Sequence, residues 1–272
     1  TKCGDAFWLF GTGNGILSWY SKDLTTWQQG PRVFSENLPW WTNAVPGNRG
    51  HLWAPDVIHL QNRYLLYYSV STFGKNTSVI GLVTNPTLDA NDAEYAWTDQ
   101  GIVIQSHATN DFNAIDPAVT LDAGGNLWLA FGSFWSGIKL VQLDPATGKR
   151  IAPDSPVHAL AQHDSIEAAF IWRHGDYYYL FVNWGICCRG ANSTYEIRVG
   201  RSAKITGPYL DAQGVPLLTS GGTMLLGTEG PFIGPGHAGI VTVGGTNWLS
   251  CHFYDGTRNG RPTLALRPLH WR

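Results

Sequence analysis

No run of basic residues longer than the pair Lys149-Arg150 occurs in this sequence, and the net charge is only -2. A polyanion needs a basic footprint, so nucleic acid and anionic membrane are poor partners for this chain. Charged residues of both signs are scarce as well, at 14% against about 25% in an average soluble chain. No apolar stretch approaches the roughly 18 residues of a membrane span. The opening "TKCGDAFWLF" has neither the basic n-region nor the small-residue cleavage site of a signal peptide, and it reads as part of a soluble, mature chain. The four cysteines, at 3, 187, 188 and 251, match no zinc spacing and leave the redox compartment open.

Helical periodicity is nearly absent. Several chemistries are missing too. "GTGNG" (11–15) has no lysine and no following helix, so it is not a phosphate loop. "GSFWSG" (132–137) is not a nucleophile elbow, and no histidine pair has zinc-hydrolase spacing.

Aromatic residues, by contrast, are abundant, with 13 tryptophans among 272 residues. Most single tryptophans in such a chain are core, yet the excess suits a site that stacks on the flat faces of sugars. Four segments share one grammar of polar residue, apolar strand, turn and aromatic strand: "APDVIHLQNRYLLYYS" (54–69), "DPAVTLDAGGNLWLAFGSF" (116–134), "EAAFIWRHGDYYYLFVNWG" (167–185) and "GHAGIVTVGGTNWLSCHFY" (236–254). Their turns supply the positive-φ positions that tight hairpins need. A fifth copy, "KCGDAFWLFGTG" (2–13), shows the turn and second strand without a first strand. The second strands start at Ala6, Tyr64, Leu127, Tyr177 and Trp248, which are 58, 63, 50 and 71 residues apart. One four-stranded blade plus loops has about that length, so the chain is expected to form an all-β, five-bladed propeller as a single domain over 1–272.

In a propeller the innermost strands line a channel, and the hairpin openers Asp56, Asp116, Glu167 and His237 would converge at one end of it. Each has a duller reading alone, since aspartate before proline is a common turn former and a lone histidine is commonly core. Their repetition argues for function. Glu167, in "SIEAAF", is flanked by apolar residues, a setting that raises a carboxylate pKa as a general acid requires. Asp116, in "AIDPAV", has a similar setting. Two such carboxylates push each other's ionisation apart and suit glycosidic cleavage.

The motifs "GHLWAPDV" (50–57), "SVSTFGKNTS" (69–78), "NAIDPAV" (113–119), "FGSFWSGIKL" (131–140), "SIEAAFIW" (165–172), "WGICCRGANSTYEIRVGRS" (184–202) and "GPGHAGI" (234–240) resemble the arabinanases of glycoside hydrolase family 43, along essentially the whole chain. The resemblance implies a five-bladed propeller that hydrolyses with inversion. It makes Glu167 the general acid and Asp116 the aspartate that orients the acid and tunes its pKa. The family's general base lies in an "HDP" motif just ahead of the stretch seen here as "GDAFWLFGTG" (4–13), so the base is expected upstream of Thr1. His237 matches a histidine that holds calcium or a similar ion, largely through water. Trp53 and Phe73 match aromatic residues that hold the arabinose ring, and Trp135 is a further stacking platform or core. Asp56 has no catalytic counterpart and reads as scaffold.

The expected protein is therefore a secreted or periplasmic, monomeric endo-arabinanase acting on arabinan or arabino-oligosaccharides. The alternatives are an exo-acting arabinofuranosidase or xylosidase, and a non-catalytic arabinan-binding propeller.

Overall fold

The computed structural model describes residues 1–271, and strands dominate them. The single α-helix among the described residues is the six-residue Pro39–Ala44. Five sheets follow one another along the chain, which is a five-bladed β-propeller as the repeat spacing predicts.

The hairpins legible in the sequence are all present. They pair His51–Leu60 with Arg63–Val70, Ala118–Leu121 with Leu127–Phe131, Ile166–His174 with Tyr177–Trp184, and Phe232–Val243 with Thr246–Asp255. The turn chemistry is as expected. Gln61 and Asn62 both have positive φ, as do Gly244 and Gly245, and this matches the right-handed twist of the strands they join.

Two details differ from the sequence reading. The end of a first strand is present in the first hairpin, since Lys2–Cys3 pairs with Phe7 and Ala6 across a turn in which Gly4 has a φ of 58°. The Trp8 N–H extends this pairing by donating to the Thr1 carbonyl at 2.8 Å. Two residues are too few to display an alternating pattern, so the strand could not be read from sequence. Blade size also varies. The second sheet has five strands, because Gly13–Asn14 joins it beside His51–Leu60, and the last sheet has three.

The chain divides into two compact units, residues 1–131 with 141–156, and residues 132–140 with 157–272. The first is centred on a cluster that includes Leu65, Tyr67, Ile80, Leu82, Val119, Leu127, Leu129 and Phe131. Full burial of each large apolar side chain contributes about 1.5–3 kcal/mol. Tyr67 is completely buried, and its hydroxyl donates to the Gly148 carbonyl at 2.9 Å, which removes the cost of burying it. The second unit gathers Phe181, Ile197, Ala238, Leu249 and Cys251.

Packing within the second unit is close at Gly236. A Cβ there would lie 2.3 Å from Tyr195 Cδ2 and 2.9 Å from Asn183 Nδ2, and both neighbours are buried. Gly236→Ala is expected to destabilise by about 2–3 kcal/mol through overpacking. A urea midpoint equal to that of the parent protein would contradict this.

Candidate active site

The innermost strands share an irregularity that decides where the functional side chains point. A bulge separates Trp53 from Asp56, Glu167 from Phe170, and Gly236 from Gly239. Inside each bulge one non-glycine residue is left-handed: Ala54 (φ 45°), Ala168 (φ 54°) and His237 (φ 59°). Asp116 (φ 57°) is the counterpart in the third sheet, two residues before the strand that begins at Ala118. The extra residue bends the strand and re-aims its neighbouring side chains.

This corrects the expectation that Asp56, Asp116, Glu167 and His237 occupy one equivalent position. Asp116 and His237 are equivalent to each other and to Ala54 and Ala168. Glu167 comes one residue earlier, at the position of Trp53, and Asp56 comes two residues later. Counting back from a second strand cannot find this, because a bulge changes the count without changing the composition.

A left-handed conformation at a non-glycine residue costs roughly 1–2 kcal/mol, so it persists only where its surroundings hold it. Here side chains do so. The buried Ser69 Oγ accepts the Asp116 N–H at 2.9 Å, the buried Asn183 Oδ1 accepts the His237 N–H at 2.7 Å, and Thr12 Oγ1 accepts the Ala54 N–H at 3.0 Å. Ser69 lies opposite Trp53, and Asn183 opposite Glu167, so both are second-strand residues at one repeat position. Sequence reasoning missed them as functional. Their signal is a polar residue ending an apolar run, in "LLYYS" and "YLFVN". Asp56 acts as scaffold, with its Oδ2 accepting the Val119 N–H at 2.7 Å.

Each expected catalytic carboxylate occupies a built position in its own unit. Asp116 is only 7% exposed. Glu167 is half-buried, flanked by the buried Ile166 and Ala168, and its Oε2 accepts a 2.6 Å hydrogen bond from Ser133 Oγ. The Tyr177–Trp184 strand ends beside Glu167, with Asn183 opposite it and the Gly185 N–H donated to the Ser165 carbonyl at 3.1 Å.

The expected stacking residues are available at the same ends of their hairpins. Trp53 is half-buried, with its indole N–H donated to His51 Nδ1 at 2.9 Å. Phe73 is 83% exposed on the loop after Arg63–Val70, three residues beyond that strand. Trp135, at 42% exposure, is a surface residue and not part of the core.

A family model described as glycosyl hydrolases family 43 matches residues 1–272. The chain belongs to glycoside hydrolase family 43. This family 43 hydrolase is 42% identical to an extracellular exo-α-(1→5)-L-arabinofuranosidase of Cellvibrio japonicus, over all of this chain and 82% of that protein. It is also 42% identical to an extracellular endo-α-(1→5)-L-arabinanase of Bacillus subtilis, over 99% of this chain and 83% of that protein. Among solved structures, a Cellvibrio cellulosa α-L-arabinanase complexed with arabinohexaose superposes with a TM-score of 0.96 at 41% identity, over all of this chain and 90% of that one.

Two further features of the family 43 hydrolase concern metal and sulfur. Among the described residues no group of three or more His, Cys, Asp or Glu side chains could hold a metal ion. His237 supplies one imidazole, and the ion expected there is held largely through water, whose oxygen suits calcium. No catalytic step is assigned to an ion at His237. Burial, with His237 as the second cause, pushes the neighbouring His252 imidazole down to about 4, so it is neutral at physiological pH. Cys187 and Cys188 form a disulfide between adjacent residues, on the loop after Tyr177–Trp184. The Cys188 N–H donates to the Tyr254 hydroxyl at 2.7 Å, while Cys3 and Cys251 carry free thiols.

Proposed function

We propose that this family 43 hydrolase is an endo-acting arabinanase. It cleaves internal α-1,5-L-arabinofuranosidic bonds of arabinan by single displacement with inversion. The observation that carries the reading is the match to arabinanases along the whole chain, together with Asp116 and Glu167 at positions set by bulge and anchor. Glu167 protonates the leaving oxygen, and Asp116 orients and tunes it. A water molecule attacks from the opposite face, activated by a base from the motif expected ahead of residue 1. Trp53 and Phe73 hold the arabinose ring, and Trp135 adds an apolar face for a further sugar. The named extracellular relatives and the Cys187–Cys188 disulfide support action outside the cell, and the proposed enzyme acts there as a monomer.

The exo-acting reading has an observation of its own, since relatives with each mode of action are equally identical to this chain. Linear arabinan digested for short times separates the two. The endo reading expects a ladder of oligosaccharides of mixed length and a rapid fall in viscosity. A single product size from the outset would establish exo action. Binding of arabino-oligosaccharides with no product at all would establish a binding propeller.

A further inference from the structure

The six-residue connection "GSFWSG" (132–137) is specified more tightly than a link between two strands requires. Phe134 and Trp135 are consecutive and both left-handed, at φ 52° and 38°, a conformation that bulky side chains disfavour. Glycines on either side make the fold of the loop possible. A Cβ on Gly132 would fall 2.4 Å from the Gly137 carbonyl oxygen, and one on Gly137 would fall 2.2 Å from the Ala161 oxygen. The Phe134 N–H donates to the carbonyl of Ile166, the residue before Glu167, at 2.7 Å. The Gly137 N–H closes the loop on the Phe134 carbonyl at 2.7 Å, and Lys139 Nζ donates to the Ser136 carbonyl at 2.8 Å. Strain of this kind concentrates where geometry serves function.

The result of this construction is the placement of one hydroxyl. Ser133 is 3% exposed, and its Oγ donates to Glu167 Oε2 at 2.6 Å. We infer that Ser133 is the positioning residue of the general acid, an inference that rests on the reading of Glu167 as that acid. With Oε2 committed as acceptor, the acidic proton resides on Oε1. As the bond between the anomeric carbon and the glycosidic oxygen breaks, its electron pair goes to that oxygen, which takes the Oε1 proton. Water adds to the anomeric carbon and gives its own proton to the base. The carboxylate left on Glu167 keeps the Ser133 hydrogen bond, and a donor to the ionised form stabilises it. Ser133 therefore acts twice, first by fixing which oxygen carries the proton and then by stabilising the charge that forms.

The test compares two leaving groups on the full chain. An arabino-oligosaccharide leaves as an alkoxide that needs the proton, whereas a nitrophenyl arabino-oligosaccharide leaves as a stabilised phenolate that does not. For Ser133→Ala, kcat on the oligosaccharide is expected to fall roughly 100-fold with KM within about twofold, and kcat on the nitrophenyl glycoside to fall less than about fivefold. Glu167→Ala should show the same pattern with a larger loss. Should Glu167→Ala keep full turnover of the oligosaccharide, the acid reading itself fails. If Glu167→Ala behaves as expected while Ser133→Ala lowers both substrates equally, or neither, the positioning role is overturned. Thermal melting of both variants shows whether an equal loss reflects misfolding, which would likewise count against it.

Discussion

Glu167→Ala is expected to reduce hydrolysis of arabino-oligosaccharides by about 1,000- to 10,000-fold, the upper part of the range of roughly 100- to 10,000-fold that a positioned general acid supplies. Binding of the same oligosaccharides should stay within a few-fold. The asymmetry comes from where the carboxyl acts, because its proton is needed only as the glycosidic bond breaks. Removing an interaction made in the transition state lowers kcat and leaves ground-state affinity largely alone. The aromatic faces of Trp53 and Phe73 are untouched by the substitution, and they are the groups assigned to hold the ring. Calorimetric titration with an unbranched arabino-oligosaccharide measures the binding arm, and reducing-sugar release measures the rate. Undiminished turnover would remove Glu167 from the mechanism.

The second large effect concerns stability. Asn183→Ala should destabilise the protein by about 4 kcal/mol, since a buried polar group left without its partner costs about 1–3 kcal/mol. Asn183 is fully buried and serves three partners in its unit. Its Nδ2 donates to the Glu196 carbonyl at 3.2 Å and to the Pro235 carbonyl at 3.1 Å, while its Oδ1 accepts the His237 N–H at 2.7 Å. An alanine would strand two carbonyls and the left-handed amide of His237 together. Ser69→Ala is the internal comparison. It removes the repeat-equivalent contact, the Ser69 hydroxyl that accepts the Asp116 N–H, so about 1–2 kcal/mol is expected. Urea midpoints at unchanged slope measure both. A loss for Asn183→Ala no greater than that for Ser69→Ala would show that the three-partner hub is not what holds this strand end.

The hairpins were legible because their cause is local. Short apolar and aromatic runs such as "YLLYYS" and "NLWLAF", and turn residues such as Gln61-Asn62 and Gly244-Gly245, state strand and turn within about 20 residues. Asp116 and Glu167 were legible for a related reason, since a carboxylate inside an apolar run is costly and asks for an explanation. The strand Lys2–Cys3 was too short to show a pattern. The equivalence of Asp116 with His237, and the offset of Glu167 and Asp56 from both, depended on bulges that exist only in the pairing of one strand with another.

Ser133 illustrates the remainder. It stands in a motif that is not a nucleophile elbow, 34 residues from the carboxylate it serves, and serine in a glycine-rich loop carries no distinguishing signal. Ser69 and Asn183 are the same case. Strand order, turn chemistry and family membership were determined by the linear sequence, because each rests on neighbouring residues or on motifs that recur in order. Which amide is anchored, which oxygen of Glu167 is held, and which residue of each bulge is left-handed were decided only in the tertiary structure. Those properties belong to hydrogen bonds between segments far apart in the chain, and such partners are chosen by packing.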